Sequence, residues 1–290
     1  LTTQTLQEFI NAHQSEKNSA SVLTALLPDP TGYGRIMRGD DGVITKIIEE
    51  KDASESERDI DEINTGVYLF ELPVIRNVIN QLRSDNSQKE LYLTDVIELI
   101  NKAGDRPYAI LSNDYTETLG VNDRTQLAEC QAIMRDRINY LHMQNGVSII
   151  DPTTTWIDAG VEIEEDVLIY PGTVITGKTK IKSAAVIGPR TTLDSCTVGE
   201  GAKVIESHCT DSKIGKGAKI GPFTYLRKGS VLKDESKAGA FVEIKNSTVG
   251  RGSKVAHLSY VGDAQIGDES NIGAGTIFVN YDGEEKHKTK

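Results

Sequence analysis

The second half of the chain repeats large aliphatic residues at a fixed spacing of six, and this period constrains the fold more than any other feature. The first run is unbroken and comprises Ile157, Ile163, Ile169, Ile175, Ile181, Ile187 and Leu193. Two later runs are Ile214, Ile220, Leu226, Leu232, Ala238 and Ile244, and then Ile266, Ile272 and Phe278. Neither an α-helix nor a flat strand has a period of six. A parallel β-solenoid does, because each short strand and turn places one aliphatic side chain inward.

Glycine often follows the repeated aliphatic residue, as in Ile214-Gly215 and Ile266-Gly267. Tight corners favour glycine, and we therefore predict that these glycines form the corners between the short strands. The period alone fixes neither the handedness of the solenoid nor whether its surface binds a ligand, since many solenoids are scaffolds or spacers.

Length and composition indicate two domains and exclude several classes of partner. A chain of 290 residues exceeds what one core usually serves. The net charge of −11 and a pI near 5.0 disfavour nucleic acid or an anionic membrane as a partner. No apolar run approaches the ~20 residues of a membrane span. Cys130, Cys196 and Cys209 lack metal-ligand spacing, so a reducing, cytoplasmic setting is the default.

The first part of the chain has the mixed pattern of an α/β domain. We predict helices at residues 5–13 and 73–82, and strands at residues 21–27, 42–49 and 66–70. Residues 124–143 contain neither Gly nor Pro and predict a helix whose apolar positions are Leu127, Ile133, Met134, Ile138 and Leu141. The predicted organisation is an α/β domain at 1–124, a connecting helix at 125–145 and a solenoid at 146–290.

Short polar and glycine motifs in the first part fall where an α/β sheet usually binds ligands. In Gly32-Tyr33-Gly34-Arg35 the glycines let the backbone approach a ligand, and the aromatic ring can lie against another ring. Glu49 ends a predicted strand, Asn64 lies just before Gly66 and the strand predicted from it, and Asn122 follows Gly120-Val121. Each motif alone is also typical of an ordinary turn.

Taken in order, the motifs of both halves resemble one family, the bacterial bifunctional N-acetylglucosamine-1-phosphate uridyltransferases and glucosamine-1-phosphate acetyltransferases. In the first half they are Pro30-Thr31-Gly32-Tyr33-Gly34-Arg35-Ile36, Ile48-Glu49-Glu50-Lys51-Asp52, Glu62-Ile63-Asn64-Thr65-Gly66 and Gly120-Val121-Asn122-Asp123-Arg124. In the second half they are Ile220-Gly221-Pro222-Phe223, Leu226-Arg227, Phe241-Val242-Glu243-Ile244-Lys245, His257-Leu258-Ser259-Tyr260, Asn271-Ile272-Gly273-Ala274-Gly275-Thr276 and Asn280-Tyr281-Asp282-Gly283. The resemblance covers nearly the whole chain and implies a nucleotidyltransferase-like (Rossmann-like) partial domain followed by a left-handed parallel β-helix.

The resemblance implies that the first domain transfers a uridylyl group from UTP to N-acetylglucosamine 1-phosphate with Mg²⁺. Gly34, Glu49, Asn64 and Asn122 would contact the UDP-N-acetylglucosamine product, and Asn122 would also ligate the metal through its side-chain oxygen. The alternative for Asn122 is a turn residue. The family begins with a glycine-rich loop and a Gly-Asp pair that this sequence lacks, so we expect a piece of a longer protein that does not transfer uridylyl groups by itself.

Arg227 and Lys245 are eighteen residues apart, and each follows a repeated aliphatic residue. If one coil is three hexads, the two cations stack on one outer face at roughly the strand spacing of ~4.8 Å. Their repulsion, about 1 kcal/mol or more, favours an anion such as a phosphate between them. The alternative is two solvated side chains that splay apart. The resemblance assigns both residues to glucosamine 1-phosphate.

Acetyl transfer requires a base that takes the proton lost from the amine, and an imidazole suits this role because it titrates near neutral pH. Among the five histidines, the resemblance of His257-Leu258-Ser259-Tyr260 to the catalytic segment of the family implies that His257 is the base. The resemblance implies that Tyr260 and Asn271 hold the sugar, with Arg227 and Lys245 on its phosphate. It also implies that Ala274, Asn280 and Tyr281 contact acetyl-CoA.

The sequence departs from the family pattern at four positions near these motifs. Ala240 stands for Asn, Ala256 for Gly, Lys228 for Pro and Lys89 for Gly. These departures concern loop geometry more than reaction type. In the family further coils follow and a homotrimer completes the acetyl-CoA site, so we expect this chain to keep mainly the sugar-phosphate half. Two alternatives remain: another sugar-1-phosphate nucleotidylyltransferase with a non-catalytic, oligomerising solenoid, and a non-enzymatic assembly module.

Overall fold

The computed structural model describes residues 1–285 and 287–289. The chain separates into two compact units, residues 1–130 and 131–290. This division falls inside the predicted connecting helix, and the three-part organisation with boundaries at 124 and 145 stays a prediction.

Unit 1 is built on one mixed sheet of five strands with helices packed against it. Its strands are β1 (Ala20–Leu26), β2 (Arg35–Arg38), β3 (Ile44–Ile48), β4 (Glu62–Phe70) and β5 (Pro107–Leu111). Its helices are α1 (Thr3–Ser15), α2 (Glu55–Arg58), α3 (Leu72–Val78) and α4 (Asp95–Lys102). The spatial order of the strands is β3-β2-β4-β1-β5, in which β1 and β5 run parallel and the other pairs run antiparallel. Six of the seven residues of β1 are buried, as expected for a central strand.

The predicted helices and strands of unit 1 are confirmed with shifted ends, and four elements were missed. The strand predicted from residue 42 begins at Ile44, because the amide N–H of Gly42 donates to the carbonyl oxygen of Gly39 in a turn. The missed elements are α2, α4, β2 and β5, which are four to eight residues long. Periodicity is a weak signal over so few residues.

Helix α5 (Arg124–Gln144) is present where it is predicted, but only part of its predicted apolar face is buried, with Ile138 packed against the solenoid core. Leu141 is 60% exposed, whereas Asn139 is fully buried. The side-chain amide of Asn139 donates to the carbonyl oxygens of Pro152 (2.9 Å) and Thr155 (3.0 Å). Hydrogen bonds from one polar residue therefore attach the end of α5 to the solenoid.

The solenoid of unit 2 contains short strands that repeat in groups of three, one strand for each of three parallel sheets. Its strands are β6 (Ser148–Ile149), β7 (Trp156–Ile157), β8 (Glu162–Ile163), β9 (Leu168–Ile169), β10 (Val174–Thr176), β11 (Lys180–Ile181), β12 (Val186–Ile187), β13 (Thr192–Asp194), β14 (Thr197–Val198), β15 (Lys203–Val204), β16 (His208–Thr210), β17 (Lys213–Ile214), β18 (Lys219–Ile220), β19 (Tyr225–Leu226), β20 (Val231–Leu232), β21 (Lys237–Ala240), β22 (Glu243–Lys245), β23 (Thr248–Val249), β24 (Lys254–His257), β25 (Tyr260–Gly262), β26 (Gln265–Ile266) and β27 (Asn271–Ile272). This is the predicted left-handed parallel β-helix.

The repeated aliphatic residues form one continuous core along the solenoid. Interruptions in the six-residue period are filled by Val198, Val204, Cys209, Val249, Val255 and Val261, which are all fully or almost fully buried. Several of these positions are reached by five-residue steps, and non-glycine residues with positive φ, such as Asp211 and Asn246, form the tighter corners there.

A corner does begin at Gly215, whose carbonyl oxygen accepts a hydrogen bond from the amide N–H of Ala218 (3.3 Å), but the need for glycine there has another cause. Gly215 has no positive φ, and a Cβ atom added there would lie 2.6 Å from the amide nitrogen of Asp234 on the next coil. Gly215 is therefore required by close stacking between coils, whereas Gly221, with a φ of 98°, does have the corner conformation.

Candidate functional site

Three of the predicted nucleotide-sugar residues lie together at one edge of the sheet in unit 1. The amide N–H of Asn64 donates to the carbonyl oxygen of Gly34 over 2.8 Å. A Cβ atom added at Gly34 would lie 3.5 Å from Oε2 of Glu49 and 3.2 Å from Cγ2 of Ile47. A glycine at position 34 therefore leaves the backbone open beside the Glu49 carboxylate.

Neighbouring hydroxyl groups orient the two polar side chains at this edge. Oε1 of Glu49 accepts a hydrogen bond from the Thr94 hydroxyl (3.0 Å), and Oδ1 of Asn64 accepts one from the Tyr68 hydroxyl (2.9 Å). Burial raises the pKa of Tyr68 well above its ordinary value, so this phenol remains a donor. The Asn64 amide group thus presents its N–H donors away from Tyr68.

Arg35 is a structural residue of this edge whose burial the sequence did not reveal. It is only 1% exposed and forms an ion pair with Glu50, with Nη2 and Oε2 2.9 Å apart. Oε2 of Glu50 also accepts from the amide N–H of Gly32 (3.2 Å), and the Arg35 guanidinium donates to the carbonyl oxygen of Tyr33. The ion pair therefore closes the glycine-containing loop.

Asn122 is exposed and is not in contact with the other three predicted residues. The nearest link is through Tyr33, whose hydroxyl oxygen accepts from the amide N–H of Gly120 (2.9 Å), while the amide N–H of Asn122 itself donates to Gln126 (2.7 Å). Across residues 1–285 and 287–289 there is no group of three His, Cys, Asp or Glu residues that could hold a metal ion. Asn122 supplies one oxygen, so the described residues alone do not fit a Mg²⁺ site.

Arg227 and Lys245 lie one coil apart, as their spacing predicts, because Leu226 pairs with Ile244 in register. Each cation has a carboxylate partner: Arg227 lies 2.9 Å from Glu243, and Lys245 lies 3.6 Å from Asp263. The hydrogen bond that Arg227 donates to the Glu243 carboxylate raises the pKa of Arg227. These partners already offset part of the repulsion that favours an anion between the two cations, and the assignment of both residues to a phosphate stays a prediction. Arg227 and Lys245 still offer donors on one face.

His257 lies at the end of β24 with small residues on both neighbouring coils. It pairs with Ala240 on one side, and the register of Val255 with Ile272 and of Tyr260 with Ile277 brings it level with Ala274 on the other. The imidazole is exposed, and no hydrogen bond to it occurs within the described part of the chain. Space and both ring nitrogens are available to a ligand.

The other predicted site residues are dispersed: Tyr260 and Asn271 lie on strands of different sheets, and Tyr281 lies beyond the last strand. The Tyr260 hydroxyl lies over Gly262, where a Cβ atom would collide with the ring. Asn271 is exposed on β27, beside Lys254 rather than Tyr260. Tyr281 is exposed and its hydroxyl donates to the carbonyl oxygen of Gly283 (2.6 Å).

Asp263 connects two of the predicted site residues, and the sequence reasoning did not identify it. Its carboxylate accepts from the side-chain amides of Asn246 (Oδ1, 2.6 Å) and Asn280 (Oδ2), and Oδ2 lies 3.6 Å from the ammonium of Lys245. The residue is 9% exposed and has a φ of 49°. Its position could have predicted the contact, because Asp263 comes seventeen residues after Asn246 and the coils are about that long.

Comparison with known proteins adds a family and several relatives. The Nucleotidyl transferase family matches residues 1–162. Over 289 residues, all of this chain and 60% of the relative, it is 52% identical to Bifunctional protein GlmU from Mycolicibacterium smegmatis. Identity is 51% over the same shares with the protein of that name from Corynebacterium glutamicum strain ATCC 13032. The chain thus spans about 60% of the length of these curated relatives.

A solved structure of UDP-N-acetylglucosamine acyltransferase from Campylobacter jejuni aligns at 17% identity with a TM-score of 0.25. The alignment covers 44% of this chain and 68% of that chain. At this TM-score the likeness supports no conclusion.

Proposed function

Because this chain belongs to the nucleotidyl transferase family, we propose that the native protein is bifunctional and makes UDP-N-acetylglucosamine in two steps. The first step transfers the acetyl group of acetyl-CoA to glucosamine 1-phosphate. The second transfers a uridylyl group from UTP to the resulting N-acetylglucosamine 1-phosphate and releases pyrophosphate. Relatives named Bifunctional protein GlmU at about 50% identity over the full chain support this proposal.

The observation that carries the acetyltransferase proposal is the register of the last described coils. It brings the imidazole of His257 level with Ala274 on the next coil. Arg227, Lys245 and Tyr260 come from successive strands of the neighbouring sheet. A base therefore lies at the corner that precedes this sheet, and cationic donors and a phenol are carried along the sheet itself.

In the proposed reaction the neutral amine nitrogen of glucosamine 1-phosphate bonds to the thioester carbonyl carbon of acetyl-CoA. The carbon–sulfur bond then breaks, and coenzyme A leaves with the electron pair of that bond. The His257 imidazole takes the proton that the amine loses. Arg227 and Lys245 donate to the phosphate and Tyr260 and Asn271 hold the sugar, so that the amine is oriented toward the thioester. Ala274, Asn280 and Tyr281 would line the acetyl-CoA side.

In the nucleotide half, Gly34, Glu49 and Asn64 would bind the uridine and sugar groups, and Asn122 would add a contact from a separate loop. Support comes from the open backbone at Gly34 and the fixed side chains of Glu49 and Asn64. Mg²⁺ belongs to this proposal through Asn122, which would need ligands beyond the described residues. When bound, the ion would offset phosphate charge.

The proposal includes assembly and location. We place the reactions in the cytoplasm, where UTP and acetyl-CoA are available, and in a homotrimer of solenoids. The three cysteines are free, and no helix among the described residues is long and apolar enough to span a membrane.

Two assays on the complete native protein test the proposal. One follows thiol release from acetyl-CoA with glucosamine 1-phosphate, and the other follows pyrophosphate release from UTP with N-acetylglucosamine 1-phosphate. Both products are expected. Release of pyrophosphate without thiol would instead identify a nucleotidylyltransferase with a non-catalytic solenoid. If neither product forms, the remaining alternative is a non-enzymatic assembly module.

A further inference from the structure

Asp263 lies at a corner of the solenoid where residues from three consecutive coils meet. Lys245 and Asn246 are one coil before it, and Asn280 is one coil after it. Backbone hydrogen bonds fix this arrangement, because the amide N–H of Asp263 donates to the carbonyl oxygen of Lys245 over 3.0 Å. The carboxylate is therefore held between a residue proposed to bind the phosphate and one proposed to line the acetyl-CoA side.

A carboxylate in this position determines which way the Asn280 amide faces. An ionised carboxylate only accepts hydrogen bonds, so Asn280 must turn its NH₂ group toward Asp263 and its Oδ1 away from it. The hydrogen bond from Asn246 is the main reason why the pKa of Asp263 lies below its ordinary value, which keeps the group ionised. An outward-facing Oδ1 is an acceptor, suited to an N–H group of a bound substrate.

We infer that Asp263 is a positioning residue for acetyl transfer: it fixes the Asn280 amide with its oxygen toward the bound substrates and holds the Lys245 ammonium beside it. The inference rests on the proposed acetyltransferase function. It assigns to Asp263 no contact with either substrate and no proton transfer. Its role is exerted through Asn280 and Lys245.

A donor–acceptor exchange between positions 263 and 280 tests this role in the complete native protein. Asp263→Asn removes the obligate acceptor and allows the Asn280 amide to flip, and Asn280→Asp places two carboxylates together. Each single substitution is expected to lower kcat by about 10-fold or more, with a smaller change in KM. In the double variant the new amide at 263 donates to the new carboxylate at 280, which again presents an oxygen outward.

Recovery in the double variant is the decisive result. We expect its kcat to exceed that of either single variant by about 5-fold or more. No recovery, or a single Asp263→Asn variant within about 2-fold of wild type, would overturn the inference. Thermal melting of each variant shows whether a loss of kcat reflects unfolding, because a merely structural Asp263 would lose kcat only as far as the protein melts.

Asp211→Asn is the matched control. Asp211 occupies a comparable corner with a φ of 44° and pairs with Lys228 at 3.5 Å, but it contacts none of the proposed site residues. Its substitution should leave kcat within about 2-fold of wild type. If wild-type protein itself transfers no acetyl group, the proposed function fails; if it does and the exchange gives no recovery, only the role of Asp263 fails.

Discussion

Arg227 and Lys245 project from adjacent coils of the solenoid, and each is already paired with a carboxylate of its own. Glu243 partners Arg227 from the strand that carries Lys245, and Asp263 partners Lys245 from the next coil. The cations are thus positioned before any ligand arrives, with part of their charge offset.

Removing either cation should weaken phosphate binding. For Arg227→Ala and for Lys245→Ala we expect KM for glucosamine 1-phosphate to rise about 10- to 100-fold, since each loses a charge-assisted hydrogen bond. Acetyl transfer to glucosamine, which lacks the phosphate, should be much less affected. Lys182→Ala is the control, because Lys182 is an exposed solenoid lysine that also pairs with a carboxylate, at 2.6 Å from Glu164. Equal effects on both sugars would exclude phosphate recognition by these residues.

The stability contributed by Asp263 should depend on pH. Its folded-state pKa is lowered, chiefly by the hydrogen bond from Asn246, so the contribution is present above the unfolded pKa and is lost as pH falls through the folded value. At pH 7 we expect Asp263→Asn to melt about 2–6 °C below wild type. This difference in melting temperature should shrink as pH falls from about 5 toward 3. A difference that stays constant would contradict an ionised Asp263 that stabilises the fold.

The stability cost of replacing a solenoid glycine by alanine should depend on which atoms lie close to the added Cβ atom. Gly215→Ala should cost about 1–3 kcal/mol, since its Cβ would lie 2.6 Å from the backbone of Asp234. Gly267→Ala is the control, because the nearest atom to its Cβ is the Ser270 hydroxyl oxygen at 3.8 Å and its φ is ordinary. Denaturant midpoints of the two variants measure the difference. Equal midpoints would show that the coils separate at little cost.

The nucleotide half should depend on the link between its two loops. Tyr33→Phe removes the acceptor for the amide N–H of Gly120, and we expect UDP-N-acetylglucosamine to bind the complete native protein about 3- to 10-fold more weakly. Titration calorimetry measures this, with Tyr115→Phe on an exposed surface as the control. Unchanged affinity in Tyr33→Phe would show that the hydrogen bond between Tyr33 and Gly120 does not contribute to nucleotide-sugar binding.

The solenoid could be predicted from the sequence because each coil packs only on its neighbours and buries one aliphatic residue per strand. The same pattern therefore recurs along the sequence. The period even predicts that Arg227 and Lys245 stack. It could not predict their partners, since Glu243 and Asp263 belong to other coils and corners with five-residue steps shift the register.

Tertiary contacts also explain other features that the sequence did not predict. The buried face of α5 is set by Asn139, a polar residue that periodicity counts as exposed. Lys89, where the resemblance implies Gly, has a φ of 55°, a backbone conformation that favours glycine. Asp263 was missed because its hydrogen-bond and ion-pair partners come from the coils before and after its own.

The most direct test of the central claim is acetyl transfer to glucosamine 1-phosphate, measured by thiol release, in wild-type protein and in His257→Ala. His208→Ala is the control, since His208 is an exposed solenoid histidine packed edge-on against Tyr225. We predict a loss of about 10²-fold or more for His257→Ala and little change for His208→Ala. Unchanged turnover in His257→Ala would contradict the general-base assignment and leave the solenoid as a scaffold.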